Sequence, residues 1–320
     1  MRLIRNRPGY AGSPRALPQA DGRSVVTIGN FDGLHLGHGE LLHLARDLAG
    51  PSGIVSVVTF EPLPESLFRP QSSPSRLSTV YQKLDLLQSR GVDQVWMMRF
   101  DRELAALSAE QFVQQVIVDG LAADHVVIGD DFRFGRGREG DVARLTEMGL
   151  AGGERAFHVM AVPAILSDGE RISSSRIRLT LAEGQMEAAE SLLGRPYRME
   201  GLVVRGAGLG RKLGYPTANL RIRALPSPLG GVLAAYATID GGEWLPAVCN
   251  LGRRPAVGGG EPLLEVHFFD LDQDLYGKRL EVQFIEKLRD ELDFDNIDQL
   301  IQQMRRDDAQ ARAILAEAHA

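Results

Sequence analysis

The stretch SVVTIGNFDGLHLGHGELLHLARDLAG (residues 24–50) begins as a run of β-branched residues and ends in a leucine-rich pattern with helical spacing. The loop between them, GNFDGLHLGHGE (29–40), contains four glycines and two histidines, His35 and His38. A helix N-terminus offers unpaired backbone N–H groups and a positive dipole end, so this position favours phosphate. Glycines at positions 33 and 37 let the backbone approach such a ligand closely. The stretch therefore predicts a strand, a phosphate-binding loop and a helix, with both histidines as donors to phosphate oxygens.

Two other interpretations of the histidine pair stay open at this point. A bare HxxH spacing also occurs where histidines only cap a helix or pack beside it. A metal site has less support, because HLGH lacks the i, i+4 spacing and the glutamate of the zinc-binding helix motif. A Walker A loop is excluded, since neither GKS nor GKT occurs in the chain.

The alternation of strand and helix continues to about residue 183. Short β-branched or aromatic runs occur at GIVSVVTF, VDQVWMMRF, DHVVIGD and FHVMAV. Helices are predicted over STVYQKLDLLQSRG (78–91), which stops at Gly91, and over SAEQFVQQVIVDG, whose Ser108 and Gln111 form a capping box. Alternating βαβ units predict an α/β domain with a parallel, doubly wound sheet that binds ligands beyond the carboxyl ends of its strands.

The pattern changes after about residue 190. Strands such as GVLAAYATI, LLEVHFFD and KRLEVQFI are separated by Gly- and Pro-rich turns without helices, which is typical of a small antiparallel barrel or a sandwich. A final helix is expected to pack on this domain through one apolar stripe. The stripe consists of Ile297, Leu300, Ile301 and Met304. We place the domain boundary between residues 188 and 189, giving domains over 1–188 and 189–320.

Composition limits the classes of function. The formal net charge of -6 gives no general attraction to nucleic acid or to an anionic membrane, so neither is expected as a partner. The single cysteine, Cys249, excludes an internal disulfide framework and is typical of a reducing compartment, so we expect a cytoplasmic protein. No apolar run reaches the roughly 18 residues of a membrane span. The first 20 residues lack the apolar core of a signal peptide and are expected to be loose.

A second candidate for phosphate contacts is ERISSSRIR (170–178). Serine hydroxyls between arginines suit a phosphate clamp, although serine before a charged run is also common at a capped, solvated helix. The segment follows the fifth strand, where a doubly wound sheet brings a late loop back to the ligand crevice. By contrast, GRGREG (135–140) does not predict a dinucleotide site, because its glycines alternate with arginines in a loop and no acid ends the next strand.

The second domain has its own candidate site in GAGLGRKLGYPTANL (206–220). Backbone amides of a Gly-rich arc can cradle phosphates, and Thr217 and Asn219 supply oxygen ligands suited to magnesium; a plain surface loop is the alternative. Glu265 and His267 lie two residues apart in LLEVHFFD and so face one side of a strand. The Glu265 carboxylate could accept a proton from a substrate hydroxyl during phosphoryl transfer; a salt bridge at the rim is the alternative.

Four motifs in order, GNFDGLHLGH, VTFEP, GDDFRFGRGREGD and ISSSRIR, resemble the adenylyltransferase half of bacterial bifunctional riboflavin kinase/FAD synthetases, within the nucleotidylyltransferase superfamily. The resemblance covers residues 24 to about 183. It implies that His35 and His38 are catalytic and contact ATP phosphates, and that Asp131 and Phe132 face the flavin. The implied ATP pocket also contains Gly29, Asn30, Gly33, Arg171, Ser174, Ser175 and Arg178.

One departure from this pattern is Leu63, which stands where the family has the histidine of VTFEPHP. If that histidine holds phosphates, the loss of one donor would slow adenylyl transfer by about 1 or 2 orders of magnitude.

Residues 194 to about 295 resemble riboflavin kinases, through GRPY, GLGRKLGYPTANL, NLGRRP, LEVHFFD, LYGKRLEVQF and LRDELDF. The resemblance implies a β-barrel with Glu265 as the base on the ribityl 5′-hydroxyl, and with Thr217 and Asn219 as ligands of Mg²⁺, which accompanies ATP. Arg289 is implied to lie beside the flavin. The implied phosphate loop contains Gly208, Gly210, Arg211 and Lys212. Leu233 and Ala256 depart from the family's pattern near the expected flavin cleft.

Together the two resemblances predict a bifunctional enzyme that phosphorylates riboflavin to FMN and then adenylylates FMN to FAD and pyrophosphate. Its expected partners are the small molecules riboflavin, FMN and ATP; whether the chain forms a homo-oligomer stays open. Three alternatives are a kinase with a weakened adenylyltransferase, a nucleotidylyltransferase for another phosphorylated substrate whose barrel only binds, and a flavin-sensing regulator.

Overall fold

The computed structural model describes residues 1–5, 22–206, 210, 213–221, 227–252 and 263–317, and the chain divides into two compact units. The first unit comprises residues 1–74 and 80–172, and the second comprises residues 75–79 and 173–320. The domain boundary expected between residues 188 and 189 stays a prediction.

A parallel sheet forms the centre of the first unit. Its strands are β1 (Arg2–Ile4), β2 (Ser24–Ile28), β3 (Ile54–Phe60), β4 (Gln94–Met98), β5 (His125–Gly129) and β6 (His158–Val162). Their order across the sheet is β1-β4-β3-β2-β5-β6, and every neighbouring pair is parallel. Because β2 lies between β3 and β5, the direction of winding reverses there. The carboxyl ends of β2 and β5 therefore flank the switch point at which such sheets bind ligands.

Helices cover both faces of this sheet. They are α1 (Leu36–Ala49), α2 (Pro64–Phe68), α3 (Val80–Ser89), α4 (Arg102–Ala105), α5 (Ala109–Phe112), which continues as a π-helical segment over Val113–Val118, and α6 (Val142–Leu150). A short antiparallel pair, β7 (Leu166–Ser167) and β8 (Glu170–Arg171), follows β6. Val25 belongs to the core with Leu42 of α1 and Leu87 of α3, whereas Val26 belongs to a second core with Val116. The predicted doubly wound parallel sheet is confirmed.

The local structure of this unit follows the sequence predictions, except at the N-terminus. Ser108 and Gln111 form a reciprocal capping box, and Gly91 adopts a φ of 74° after α3. The exception is the N-terminus, because residues 2–4 pair in parallel with β4 and form an edge strand. The expectation that the first residues are loose is therefore wrong for Arg2–Ile4; residues 6–21 lie outside the described part of the chain.

A closed antiparallel barrel forms the centre of the second unit. Helices α7 (Ser174–Ala182) and α8 (Met186–Leu193) precede its strands, β9 (Arg198–Val204), β10 (Ala218–Arg221), β11 (Gly231–Ile239), β12 (Trp244–Gly252), β13 (Leu263–Phe268) and β14 (Arg279–Arg289). The order β10-β13-β12-β11-β14-β9 closes on itself. Closure removes the exposed edges that a sandwich would leave, so the barrel is confirmed over the sandwich.

The C-terminal helix, α9 (Ile297–Glu317), packs on the barrel as expected, but through different residues. Ile297 of the predicted stripe is 59% exposed. The buried contacts come instead from Ala311 and Leu315, which pack with Ala234 and Tyr236. The Tyr236 hydroxyl also donates to the Leu315 carbonyl at 2.7 Å. The predicted stripe is therefore wrong for Ile297, and the buried apolar contacts lie in the C-terminal half of the helix.

Candidate active sites

The first candidate site is the loop that joins β2 to α1. His35 is the N-cap of α1, and its Nδ1 accepts a hydrogen bond from the His38 N–H at 3.4 Å. The two imidazole rings stack, with centroids 3.7 Å apart. The histidines therefore do cap the helix, as one alternative supposed. A neutral ring that accepts at Nδ1 carries its proton at Nε2.

The backbone of this loop is held in an unusual conformation. Phe31 (φ 48°) and Leu34 (φ 41°) adopt left-handed angles, as does Gly33 at 76°. Such angles strain residues other than glycine, and this strain concentrates at functional sites. The Phe31 and Leu34 side chains are completely buried, so core packing holds the loop in place. A Cβ at Gly37 would lie 3.3 Å from the His35 ring, a tight contact that glycine avoids.

A buried lysine that sequence reasoning missed, Lys83 of α3, anchors the loop. Its Nζ donates to the Asn30 carbonyl at 2.7 Å and lies 3.5 Å from Thr59 Oγ1. The Thr59 hydroxyl donates to the same carbonyl at 3.0 Å. Asn30 is thus tied to both β3 and α3. The signal was present in the sequence, because Lys83 stands in the apolar stripe with Val80 and Leu87, where a completely buried charge is rare.

Asp131 and Phe132 follow β5, on the other side of the switch point. Asp131 pairs with Arg171: Nη1 lies 2.6 Å from Oδ2, and Nη2 donates to Oδ1 at 2.8 Å. Hydrogen bonds from Arg171 hold the pKa of Asp131 below its ordinary value, and the same bonds raise the pKa of Arg171. Arg171, which the resemblance places in the ATP pocket, therefore contacts Asp131, which the resemblance places beside the flavin. A phosphate would have to compete with Asp131 for this guanidinium.

Aromatic rings gather at the carboxyl ends of β3 and β4. Phe60 ends β3, and its ring meets that of Phe100 edge to face with centroids 5.6 Å apart. Phe68 of α2 lies 6.0 Å from Phe100 and is 67% exposed. An exposed aromatic ring at the ligand edge of a sheet suits a planar heteroaromatic ligand. Sequence reasoning did not single out these rings, because Phe100 lies far from Phe60 and Phe68 in the chain.

Leu63 directly precedes α2 and is only 1% exposed. Its side chain lies in the protein interior, not at an accessible surface. The effect of this departure on the rate stays a prediction.

Ser174, Ser175 and Arg178 lie on α7, in the second unit. The N-cap of α7 is Ser173, whose Oγ accepts from the Arg176 N–H at 3.2 Å. Ser174 and Ser175 therefore occupy the first turn of the helix, and Arg178 donates from Nε to the Ser75 carbonyl at 2.6 Å. The roles of these residues in pyrophosphate binding stay predictions.

The second candidate site is a cleft of about 310 Å³ on the outward face of the barrel, lined also by residues of α9. Asn219 of β10 lies directly opposite Glu265 of β13, and Glu265 lies opposite Asn250 of β12. Opposite residues of antiparallel strands have side chains on one face, so these three residues form a row across the cleft wall, the amide–carboxylate row. Leu264 and Val266 are completely buried in the barrel interior, which leaves Glu265 on the outward face.

Asn219 has the environment of a magnesium ligand. Its Nδ2 donates to the Thr217 carbonyl at 3.3 Å, whereas its Oδ1 is buried without a hydrogen-bond partner in the described residues. A Cβ on Gly206 would approach the carboxamide to 2.5 Å, so this glycine leaves the space that the side chain fills. His267 donates from Nδ1 to the Pro216 carbonyl at 2.8 Å and fixes the same segment. An oxygen held in this way fits Mg²⁺, which takes oxygen ligands and keeps several waters.

A smaller cleft of about 130 Å³ adjoins the first at the PTAN segment. Thr217 and Asn219 line both clefts, and the segment from Leu271 to Tyr276 contributes to the smaller one. Two substrates bound in the two clefts would therefore meet at Thr217 and Asn219.

Arg289 also lines the larger cleft, but its guanidinium is bound to Asp307 of α9. Nη2 donates to Oδ2 at 2.7 Å and Nε donates to Oδ1 at 3.0 Å. Gln303 adds a hydrogen bond to the same carboxylate at 2.9 Å. Sequence reasoning missed Asp307, although it interrupts the helical stripe that runs from Met304 to Ala311. An acid in that position is the signal for a buried partner.

The remaining predicted residues of the second site are only partly described. The Gly210 carbonyl accepts from the Tyr215 N–H at 2.8 Å, and a Cβ at Gly210 would lie 2.3 Å from the Tyr215 oxygen, so the turn requires glycine. Leu233 is completely buried and does not line the cleft, because it faces the barrel interior. Gly208, Arg211, Lys212 and Ala256 lie outside the described residues.

No described helix is long and apolar enough to cross a bilayer. No group of three or more His, Cys, Asp or Glu side chains in the described ranges could hold a metal ion.

Comparisons with known proteins match the two parts of the chain to two enzyme families. The family described as FAD synthetase matches residues 17–176, and the family described as riboflavin kinase matches residues 193–315. A bifunctional riboflavin kinase/FMN adenylyltransferase of Escherichia coli strain K12 is 41% identical over 313 residues, which cover 98% of this chain and 97% of the relative. The protein of the same name from Pseudomonas fluorescens is 43% identical over 294 residues, which cover 91% and 93% of the two chains.

A solved structure from Streptococcus pneumoniae, described as a macrolide-efflux protein, has the same fold over its whole length. It is 29% identical, covers 98% of this chain and 99% of its own, and gives a TM-score of 0.78. The activity in that description concerns the S. pneumoniae protein. With two family matches in chain order and relatives above 40% identity over nearly the full length, this chain belongs to the bifunctional riboflavin kinase/FMN adenylyltransferase family.

Proposed function

We propose that the chain makes FMN from riboflavin and then FAD from FMN, using one ATP in each step. The observation that carries the kinase assignment is the amide–carboxylate row. In this row Glu265, which lines the larger cleft, lies opposite Asn219, which lines both clefts. Phosphoryl transfer needs a base and a cation site at the place where two substrates meet.

In the kinase site, the Glu265 carboxylate accepts the proton of the ribityl 5′-hydroxyl as that oxygen attacks the terminal phosphorus of ATP. The bond between this phosphorus and the bridging oxygen breaks, and ADP leaves. Asn219 Oδ1 and Thr217 would hold Mg²⁺, which neutralises phosphate charge when it binds with the nucleotide. His267 keeps the PTAN segment beside β13 through its bond to Pro216. The wall supplied by α9 shields the reacting groups from water.

In the adenylyltransferase site, a phosphate oxygen of FMN attacks the α-phosphorus of ATP and pyrophosphate leaves. No covalent enzyme intermediate is needed, so positioning and stabilisation of charge carry the reaction. His35 Nε2–H and the N-terminal amides of α1 supply the donors. The aromatic rings of Phe60, Phe68 and Phe100 offer a surface for the isoalloxazine ring.

Supply of riboflavin, ATP and magnesium to the purified protein is expected to give FMN first and FAD later, as resolved by chromatography. Glu265→Gln should abolish FMN formation but spare FAD formation from added FMN. His38→Ala should have the reverse effect. A wild-type protein that forms no FMN would refute the proposal, and equal effects of both substitutions on both reactions would refute the assignment of residues.

We place this activity in the cytoplasm. Cys249 is a buried free thiol, and burial raises its pKa. A lone unpaired cysteine is typical of proteins in a reducing compartment.

A further inference from the structure

Asn250 occupies the third position of the amide–carboxylate row and has no part in the reaction described so far. Its Oδ1 is buried and has no hydrogen-bond partner among the residues that the structure describes. Burial of an amide oxygen without a donor is unfavourable. Because Asn250 lines the larger cleft together with Glu265, a ligand bound in this cleft can supply a donor to Oδ1.

The register of the strands shows that a magnesium ion held by Asn219 could not also contact Asn250. Asn219 and Asn250 lie on opposite sides of Glu265, two strands apart. Neighbouring pairs in such a row are about 5 Å apart, so the two asparagines are separated by about 10 Å. Two ligands of one magnesium ion lie within about 4 Å of each other. Side chains on the outward face of a barrel also diverge, so two short carboxamides cannot close this gap.

The direction of the row indicates which part of the substrate reaches Asn250. The hydroxyl that reacts must lie at Glu265, and the phosphoryl donor must lie on the Asn219 side, where the two clefts meet. The rest of the acceptor substrate then extends to the other side, over Asn250 and towards Val232, the next residue in register. In riboflavin, the part next to the terminal hydroxyl is a run of secondary hydroxyls, each of them a donor.

We infer that Asn250 Oδ1 accepts a hydrogen bond from one secondary hydroxyl of the ribityl chain and so holds the terminal hydroxyl against Glu265. This inference rests on the proposed kinase function. It makes Asn250 a specificity-determining residue, which favours a polyhydroxylated chain over a plain alkyl chain on the flavin. A site built to bond a hydroxyl rejects an analogue that lacks it, because the buried oxygen is then left unpaired.

The test compares four flavins in wild type, Asn250→Ala and Asn250→Ser. The flavins are riboflavin and its three analogues that each lack one secondary hydroxyl, at the 2′, 3′ or 4′ position. With riboflavin, Asn250→Ala should lower kcat/KM for phosphorylation about 10-fold, as expected for one lost hydrogen bond. Asn250→Ser should lower kcat/KM by a smaller factor, because the serine hydroxyl oxygen can still accept a hydrogen bond. For one analogue, kcat/KM of the wild type should be about 10-fold lower than with riboflavin. With that analogue, Asn250→Ala should have the same kcat/KM as the wild type, which identifies the hydroxyl that Asn250 binds.

FAD formation from added FMN serves as the control in every variant, and its rate should not change. The inference is overturned if Asn250→Ala equals wild type, or if it lowers kcat/KM for all four flavins by the same factor. Should Asn250→Ala not fold, the same comparison is made with Asn250→Ser. Failure of the proposed function is distinguishable, because the wild-type protein would then form no FMN from riboflavin.

Discussion

Replacement of Asp307 by alanine is expected to destabilise the barrel unit strongly. Asp307 is one of the few buried acids, with a side chain that is 5% exposed, and it binds Arg289 through two oxygens. This pair connects β14 with α9, so it also holds the wall of the kinase cleft. Alanine would leave the Arg289 cation without its counterion.

Removal of one partner of a buried ion pair destabilises a protein by about 3–5 kcal/mol. The Arg289 side chain keeps 18% exposure and also donates to the Asp290 carbonyl at 2.9 Å. Water and this carbonyl can partly compensate the cation, so we expect the lower end, about 3 kcal/mol. With a urea m-value of about 2 kcal/mol/M, the unfolding midpoint should fall by roughly 1.5 M.

Equilibrium urea unfolding followed by the fluorescence of Trp244 measures this effect. The chain has two tryptophans, so Trp96 of the first unit is replaced by phenylalanine in every protein compared. Trp244 lies under the Arg198 guanidinium, 4.7 Å from the ring centroid, and reports on the barrel. The matched control is Asp308→Ala at the next position, where the pair with Arg312 is more exposed and should contribute within about 1 kcal/mol.

Equal midpoints for Asp307→Ala and Asp308→Ala would show that the buried pair makes no net contribution and would refute the reasoning. A second comparison separates a lost charge partner from a lost contact. The double substitution Asp307→Leu with Arg289→Met removes both charges and should recover most of the loss in midpoint. No recovery would mean that the geometry of the helix contact, not the unpaired cation, explains the destabilisation.

Four further predictions concern single positions. Lys83→Met should lower kcat/KM for FAD formation about 10-fold, since the Asn30 carbonyl loses a charged donor, and should leave phosphorylation of riboflavin unchanged; a loss in both reactions would contradict this. Gly206→Ala should raise the magnesium concentration for half-maximal kinase rate, because the new Cβ displaces the Asn219 carboxamide; an unchanged magnesium dependence would contradict it. Cys249, whose thiol pKa is raised by burial, should react with thiol reagents only in unfolded protein, and immediate labelling of native protein would count against this. Because its folded pKa is lowered, Asp131 in its pair with Arg171 stabilises the fold above the ordinary carboxyl pKa of 3.8, and this stabilisation is lost as the pH falls through the lower folded pKa. Both groups are exposed, so Asp131→Asn should change the free energy of unfolding at pH 7 by no more than about 1 kcal/mol, as measured by urea unfolding.

The fold of the first unit could be predicted because its strands carry their signal locally. β2 to β6 coincide with β-branched or aromatic runs, and most are buried on both faces, as strands of a parallel sheet are. β1 could not be predicted, since three residues give no periodicity and its stability comes from pairing with β4. The contact stripe of α9 was missed for a related reason. Its apolar residues point in two directions, and only the tertiary structure shows that Leu300 and Met304 line the cleft.

The residues of the candidate sites also differ in whether their sequence neighbours reveal them. Positions within contiguous motifs, such as His35 or Asn219, could be singled out because neighbours in the sequence supply their context. The partners of Lys83, Asn250 and Asp307 could not be predicted, since each partner lies on an element that is distant in the chain. The pairing of Arg171 with Asp131 was hidden for the same reason.

The register of the barrel explains why the kinase site and the core depend on each other. Side chains alternate between the two faces of β13, so a slip of one residue would turn Glu265 into the barrel interior and expose Leu264 or Val266. That slip would bury a carboxylate without a counterion among apolar side chains such as Leu220 and Leu251. The register that fills the interior with Leu264 and Val266 is therefore the same register that places Glu265 between Asn219 and Asn250. Apolar packing of the barrel thus fixes the amide–carboxylate row.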